Sequence, residues 1–191
     1  MPLTLQIPYH PNRWQKLMQR LFALRTVSAM LAPIAHYLDA PVIRLSRGRT
    51  TLTSLLTGLP VVTLTTVGAR SGQPRRVPLV AIPMERDGQQ KGPEARGASP
   101  EEGGKIILVA SNFGRYHHPA WYYNLRHNPL ATLSVGGCSG RYLAQEAEGD
   151  EREACWQMAA LLYGGYNAYR QRARHRDIGV FILTPLDVEP G

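Results

Sequence analysis

The chain has 191 residues, 43% of them apolar and 8% aromatic, with a net charge of +8. That is one domain of ordinary size with enough apolar residues for a real core, which excludes a disordered chain. Two cysteines give neither a disulfide framework nor a ligand cluster, so a reducing cytoplasm is the expected setting, and no stretch reaches the apolar length of a membrane span.

The charge is unevenly spread. Residues 1–84 hold ten Lys and Arg against one acid, Asp39, whereas residues 106–191 hold eight bases and eight acids. Arginine accounts for 19 of the 22 bases, and its planar fork favours phosphate and carboxylate recognition over mere solubility. Such a half suits an anionic cofactor, an anionic membrane surface or nucleic acid.

The opening MPLTLQIPYHPNRW lacks a charged region followed by an apolar run, so no signal peptide is expected. Asn12 and Gln15 are spaced as a capping box, which predicts a helix through about Leu31. Trp14, Leu17, Met18, Leu21, Leu24 and Ser28 share one side of it; Arg13, Lys16 and Arg20 share another. This helix either packs its stripe on the body or makes a peripheral membrane contact through residues 12–31. With a second short helix over about 51–56, residues 1–57 form an N-terminal helical segment. Residues 58–191 form the main domain, carrying a Gly-, Pro- and Glu-rich insertion at 85–104 that reads as an exposed, mobile loop.

The central stretch is VVTLTTVGARSGQPRRVPLVAI, Val61 to Ile82. Val61, Val62, Leu64 and Thr65 read as a strand that stops at Gly68, and Val77, Leu79, Val80 and Ile82 as its partner. The turn between them holds Arg70, Ser71, Gly72, Gln73, Pro74, Arg75 and Arg76 with no acid to neutralise it. Gly68 and Gly72 permit positive φ, so the turn could expose N–H groups beside three guanidinium groups, a set suited to phosphate or carboxylate. Taken by itself the turn fits equally well a basic, solvated hairpin tip.

Further on, KIILVA (105–110) is a strand closed by Ser111-Asn112-Phe113-Gly114. Pro119 opens a short helix containing Trp121, Tyr122, Asn124 and Leu125, ended by Asn128-Pro129. Residues 131–135 and 141–147 pair about Gly136, Gly137 and Gly140. Asp150 and Glu153 are spaced as a second capping box, before a helix that Gly164-Gly165 weakens. Residues 178–183 form the last strand, and Arg170, Arg172, Arg174 and Arg176 read as a solvated segment. About six strands joined mostly by hairpins, with flanking helices, predict a mainly β, α+β fold built on an antiparallel sheet or barrel. No G-x-G-x-x-G follows a strand, which argues against a Rossmann domain.

Adjacent His117 and His118 point apart and, with His127, lack acid or cysteine partners, so no metal site is expected. Cys155 lies in an apolar helix and reads as core. Tyr163, Tyr166 and Tyr169 recur every three residues and would cover a broad arc of one helix side, either as packing residues or as a cleft wall against which a flat ring could lie. The aromatics cluster away from the bases, which argues against a single-strand nucleic-acid groove, so no nucleic-acid partner is expected.

The run LTTVGARSGQPRRVPL, then VASNFG, then HPAWYYNL with NP, and finally Y-x-x-Y-x-x-Y resemble the deazaflavin (F420)-dependent nitroreductase family over roughly residues 58–185. The resemblance implies a split β-barrel of the FMN-binding-like kind, using coenzyme F420 to reduce a nitro compound, quinone or similar small acceptor, and a homodimer. It places Arg70 and Arg75, with Ser71, Gly72 and Arg76 of the same turn, at the coenzyme's phosphate and tail. Pro78, Leu79 and Val80 fall on the strand beside the ring, and Ser111, Asn112, Phe113 and Gly114 on the loop that approaches it. Ala120 and Trp121 fall at the ring and substrate side. Tyr163, Tyr166 and Tyr169 fall on the substrate pocket, Tyr166 being the first choice of donor. Phe113 stands where a glycine is usual in the family, and Val80 where some relatives carry an aromatic. The alternatives to F420 reduction are an FMN-binding split-barrel flavoprotein and a basic nucleic-acid-binding or non-catalytic cofactor-binding module.

Overall fold

The computed structural model describes residues 57–84, 104–135 and 137–186, together with Asn12, Trp14, Gln15 and Met18. Trp14, Gln15 and Met18, the described residues of the helix expected up to Leu31, are helical; the rest of that helix, the short helix expected over 51–56 and nearly all of the 85–104 insertion lie outside the described residues. The opening capping box is visible in part, since the Asn12 amide donates to Gln15 Oε1 at 2.8 Å.

In chain order the elements are β1 (Val61–Val67), β2 (Pro74–Val80), β3 (Ile82–Met84), β4 (Lys105–Val109), a 3-10 turn (Asn112–Gly114), α1 (Ala120–His127), β5 (Leu130–Val135), β6 (Cys138–Glu146), α2 (Gly149–Leu162), α3 (Gly165–Arg172) and β7 (Val180–Pro185). The seven strands form one sheet in the order β2-β1-β5-β6-β7-β4-β3, every pairing antiparallel. β2 and β3 are two halves of one strand, kinked at buried Ala81, whose amide leaves the ladder to reach Pro60 O at 2.8 Å. The first half pairs with β1 and the second with β4, so the sheet curls until its two ends are the same piece of chain. Among the described residues six stretches of extended chain are therefore present, as the hairpin spacing implies, and the kink supplies the seventh strand.

Two cores lie on opposite faces of this sheet, and the strand sequences show which strands serve both. β1 alternates, with Val62 and Leu64 inward and Val61, Thr63 and Thr65 outward, because only one of its faces is fully covered. β4 and β7 do not alternate, because both faces are covered. Ile106, Leu108, Phe181 and Leu183 enter the barrel, while Ile107, Val109, Val180 and Ile182 face the helices. α1 plugs the barrel with Trp121, Tyr122 and Leu125, and Phe181 meets both aromatic rings. α2 and α3 cover the outer face with Cys155, Trp156, Ala159 and Tyr163, Tyr166 and Tyr169, so Cys155 is a core residue.

The second capping box does not form. α2 begins at Gly149 without a side-chain cap, and Glu153 instead takes a bidentate ion pair with Arg170 at 2.9 and 3.1 Å. A charged fork on the neighbouring helix competes better for that carboxylate than one backbone amide.

Candidate active site

The β1–β2 turn is tight and internally bonded. Gly68 N donates to Gln73 O at 2.9 Å, Gly72 N to Gly68 O at 2.8 Å and Gln73 N to Ser71 Oγ at 3.3 Å. Ala69 N reaches across to Asn124 Oδ1 on α1 at 3.0 Å. Four amides are thus occupied, which narrows the expectation that the turn exposes its N–H groups to those of Arg70 and Ser71, which have no partner among the described residues. Of its two glycines only Gly72 is left-handed (φ +64); Gly68 is closely packed, and a Cβ there would sit 2.6 Å from Ser71 Oγ and 3.2 Å from Gln73 O, so the Ser71 hydroxyl would have to move. The donors this turn leaves for an anion are those two tip amides and its side chains. Arg75 donates to Ser71 Oγ at 3.3 Å, while exposed Arg70 and Arg76 have no hydrogen-bond or ion-pair partner among the described residues. Elsewhere Arg126, Arg152 and Arg170 are each paired with a carboxylate. Three guanidinium groups with no acid fit the phosphate and carboxylates of an anionic coenzyme.

The loop after β4 is bent sharply. Asn112 and Phe113 are both left-handed, at φ 46 and 57, a conformation that disfavours a side chain by about 1–2 kcal/mol per residue. Position 113 is where the resemblance expects glycine, and the backbone shows why glycine suits it. Gly114 (φ +76) lies so close to α3 that a Cβ would meet Arg172 Cβ at 2.7 Å and Tyr169 O at 3.0 Å. Asn112 Nδ2 donates to His117 O at 2.7 Å, and the Phe113 ring meets Tyr169 edge-on with centroids 5.9 Å apart.

The three tyrosines do not share one helix. Tyr163 ends α2, whereas Tyr166 and Tyr169 lie on α3, because Gly164-Gly165 breaks the run. Gly165 is needed there, since its Cβ would fall 2.2 Å from the Tyr163 ring. The rings pack edge-to-face in the second core, and the Tyr163 and Tyr169 hydroxyls are 3.2 Å apart. Burial raises all three phenol pKa values above the ordinary 10, so each keeps its proton at neutral pH. The Tyr166 hydroxyl has no hydrogen-bond partner among the described residues, and nor has the buried Trp156 Nε1 next to that ring.

Alternation along β2 sorts the remaining candidates. Val77 and Leu79 turn into the barrel, while Arg76, Pro78 and Val80 turn outward, and Val80 packs on the core that holds Phe113 and the tyrosines. One outer face therefore runs from the arginine turn along β2 to the aromatic cluster. Trp121 belongs to the other side, buried in the barrel against Phe181, and exposed Ala120 starts the same helix. The sheet separates Trp121 from Tyr166. A cleft of about 380 Å³ elsewhere is lined by His118, Tyr122, Arg126, Glu146, Arg152 and Asp177, and none of the residues expected at the site borders it.

Spacing did not disclose two residues that shape this region. Asn124 ties α1 to the turn through Ala69 N and through Thr66 Oγ1, 3.0 Å from its Nδ2. The available signal was an amide among Trp121, Tyr122 and Leu125 in a short apolar helix, which needs buried partners. Arg176 is half-buried, not solvated, and donates to Ser111 O at 2.9 Å and Arg115 O at 3.1 Å. Nothing in its spacing announces that.

A curled antiparallel barrel with a basic β1–β2 turn and an aromatic outer face defines a split β-barrel cofactor-binding protein. Residues 40–91 and 96–185 match the sequence profile of the F420H(2)-dependent quinone reductase family, and the chain belongs to that family. F420-dependent oxidoreduction is the reaction class of the family, and coenzyme F420 is its cofactor. Rv3178 of Mycobacterium tuberculosis (strain ATCC 25618 / H37Rv), named as a candidate F420H(2)-dependent quinone reductase, is 34% identical over 80 residues, 42% of this chain and 66% of that protein. A solved structure described as an F420-H2 dependent reductase (FDR-A) is 36% identical with a TM-score of 0.51, over 65% of this chain and 94% of its own. Another, described as a domain-swapped dimer, is 33% identical with a TM-score of 0.53, over 76% of this chain and 95% of its own. Among the described residues no helix is long and apolar enough to cross a membrane.

Proposed function

We propose that the protein reduces a quinone, nitro compound or similar small acceptor with electrons from reduced coenzyme F420. The observation that carries this reading is the set of three arginines on the β1–β2 turn and the first residues of β2, none with a carboxylate partner among the described residues, at the head of a face that ends in buried aromatics. When bound, the reduced deazaflavin would supply a hydride, and the protein supplies position and electrostatics.

Arg70 and Arg75 grip the coenzyme's anionic tail, with the Ser71 hydroxyl holding the Arg75 fork, and Arg76, on the opposite side of β2 from Arg75, adds positive charge on the outer face. Ser71 and Gly72 keep that bend closed. Pro78 and Val80 present a flat apolar strand to the ring, with Leu79 behind them, and Ser111, Asn112, Phe113 and Gly114 wall its other side. Tyr166 Oη, unpartnered and protonated, donates a hydrogen bond to the acceptor oxygen as charge develops there. Its raised pKa suits donation of a hydrogen bond and opposes net proton loss, so the proton that completes the reduction comes from water. Tyr169 and Tyr163 hold each other's hydroxyls and support Tyr166. Trp121 and Ala120 act by seating α1 against the turn. The chain works as a homodimer, a reading supported by the dimeric relative, and size-exclusion with light scattering tests it.

Titration of the purified protein with F420 and with FMN, followed by an acceptor screen with F420H(2), tests the whole reading. Tight F420 binding, weak FMN binding and acceptor-dependent oxidation of F420H(2) are expected. Preference for FMN would replace the coenzyme, and binding without turnover on any acceptor would leave a carrier.

A further inference from the structure

The bent loop of residues 110–115 has little within itself to hold two successive left-handed residues. Its internal bonds are Gly114 N to Ser111 O at 2.9 Å and Arg115 N to Asn112 O at 3.0 Å. The rest of its backbone is gathered by one side chain from the turn that follows α3. Arg176 Nη2 donates to Ser111 O at 2.9 Å and Ala110 O at 3.5 Å, and Nε donates to Arg115 O at 3.1 Å. Nη1 faces Ala110 O at 3.5 Å, Asp177 O at 3.4 Å and His118 Nδ1 at 3.2 Å. Among the described residues no carboxylate neutralises this guanidinium, because the neighbouring Asp177 side chain pairs with Arg152. A second strap joins the same two segments, with the His175 ring stacked on Tyr116 at 4.4 Å.

We infer that Arg176 is the positioning residue that holds Ser111–Gly114 against α3, and that it does so with neutral His118 as its side-chain acceptor. Five carbonyl and nitrogen partners around one fork are a geometry that lysine cannot reproduce. The loop they hold carries Phe113 and Gly114 onto Tyr169, so its position sets one wall of the aromatic face. That this wall faces a coenzyme rests on the function proposed above.

The acceptor side follows from elementary chemistry. Guanidinium always donates, so His118 Nδ1 must carry the lone pair and Nε2 the hydrogen. A protonated ring would present N–H to N–H and lose the bond. Burial, then Arg176 and Arg126, push the His118 pKa below 6.5, while Asp177 opposes them. On α1 the ring also meets Tyr122, stacked at 4.0 Å, and Tyr123 edge-on. From β6 and α2, Glu146, Glu148 and Arg152 line the same cleft. A depressed histidine pKa means that the clamp is fully formed above 6.5 and is lost as pH falls through the lower, folded value.

Three variants of the full chain test this: Arg176→Lys, His118→Asn and, as control, exposed Arg174→Lys. Amide hydrogen exchange of residues 113–115 is read without coenzyme, and F420 affinity is read by titration from about pH 7.5 to 5.5, spanning the ordinary histidine pKa. Arg176→Lys is expected to speed loop exchange at least tenfold while the β1–β5 ladder stays protected, and to weaken F420 at least tenfold. His118→Asn keeps an acceptor near the Nδ1 position without a titrating ring. The ratio of its affinity to native, in which the coenzyme's own titration cancels, should rise as pH falls. Arg174→Lys should change neither readout. Native loop exchange in Arg176→Lys would overturn the clamp, and a pH-independent ratio would overturn the role of His118. Faster exchange in a chain whose native form binds no F420 would leave the clamp and remove the coenzyme reading.

Discussion

The hydroxyls of Tyr163 and Tyr169 lie 3.2 Å apart in the second core, and each is the other's hydrogen-bond partner. The two therefore form a closed pair, one supplied by the end of α2 and one by α3, and the Tyr166 hydroxyl between them has no partner among the described residues. Three tyrosines that look equivalent in the sequence have different energetic roles.

Tyrosine-to-phenylalanine substitutions separate those roles. Tyr169→Phe strands the Tyr163 hydroxyl in a buried site and should destabilise the fold by about 1–3 kcal/mol. Tyr166→Phe removes a hydroxyl with no partner and should change stability by less than about 0.5 kcal/mol. If Tyr166 supplies the donor to the acceptor oxygen, its loss should lower kcat on the order of 100-fold while F420 affinity holds. Denaturant midpoints and single-turnover oxidation of F420H(2) measure both. Unchanged kcat in Tyr166→Phe retires it as the donor.

Arg70→Ala should leave stability unchanged, since the side chain is exposed and unpartnered. It should weaken F420 by about 1.5–3 kcal/mol, the range for a hydrogen bond to a charged group, or roughly 10- to 150-fold. The loss should shrink at high salt, because an exposed pair is screened. A titration at two ionic strengths reads both quantities, and native affinity at low salt would take Arg70 out of the site.

Much of the barrel was legible because its strands obey simple burial rules. β1 alternates, and Ile106–Val109 of β4 and Val180–Leu183 of β7 are apolar without a break because both faces are covered. The bend after Gly68 was legible too, but β2 already begins at Pro74, so Arg75 and Arg76 stand on a strand where the spacing puts them in the turn. What stayed hidden depends on partners far away in the chain. Asp150 and Glu153 have capping spacing, yet Glu153 is claimed by Arg170, seventeen residues on. Arg176 stands in an arginine-rich run that looks solvated, yet it serves carbonyls more than sixty residues back. Whether Trp121 and Tyr166 share a face depends on which side of the sheet each helix packs, and no local periodicity records that.

The glycine pair before α3 gives opposite expectations at neighbouring positions. Gly164 has room around it and an ordinary helical φ of −59, so Gly164→Ala should stabilise by about 0.4–1 kcal/mol through the unfolded chain. At Gly165 a methyl group would enter the Tyr163 ring at 2.2 Å, and Gly165→Ala should destabilise by about 1–3 kcal/mol. It should also disturb the Tyr163–Tyr169 pair, visible as an altered near-ultraviolet tyrosine signal. Equal thermal midpoints for the two variants would mean that the break between α2 and α3 is not held by this contact.

Asn124 offers the sharpest test of how the plug helix serves the turn. Its Oδ1 accepts from Ala69 N and its Nδ2 donates to Thr66 Oγ1, both at 3.0 Å, and the residue is buried. Asn124→Leu fits the apolar surroundings in volume but leaves the Ala69 amide and the Thr66 hydroxyl without partners. At about 1–3 kcal/mol for each of the two stranded groups, the loss should total about 2–6 kcal/mol. Asn124→Asp keeps the acceptor for Ala69 N, and the Thr66 hydroxyl can rotate to donate into the carboxylate, so its loss should be smaller despite the buried charge. Because Ala69 precedes Arg70 directly, the leucine variant should also bind F420 more weakly than its residual folded fraction explains. Affinity measured well below the melting temperature, where the variant is fully folded, isolates that effect. Native affinity in a destabilised Asn124→Leu would show that the turn keeps its shape without α1, and that the arginines are positioned by the hairpin alone.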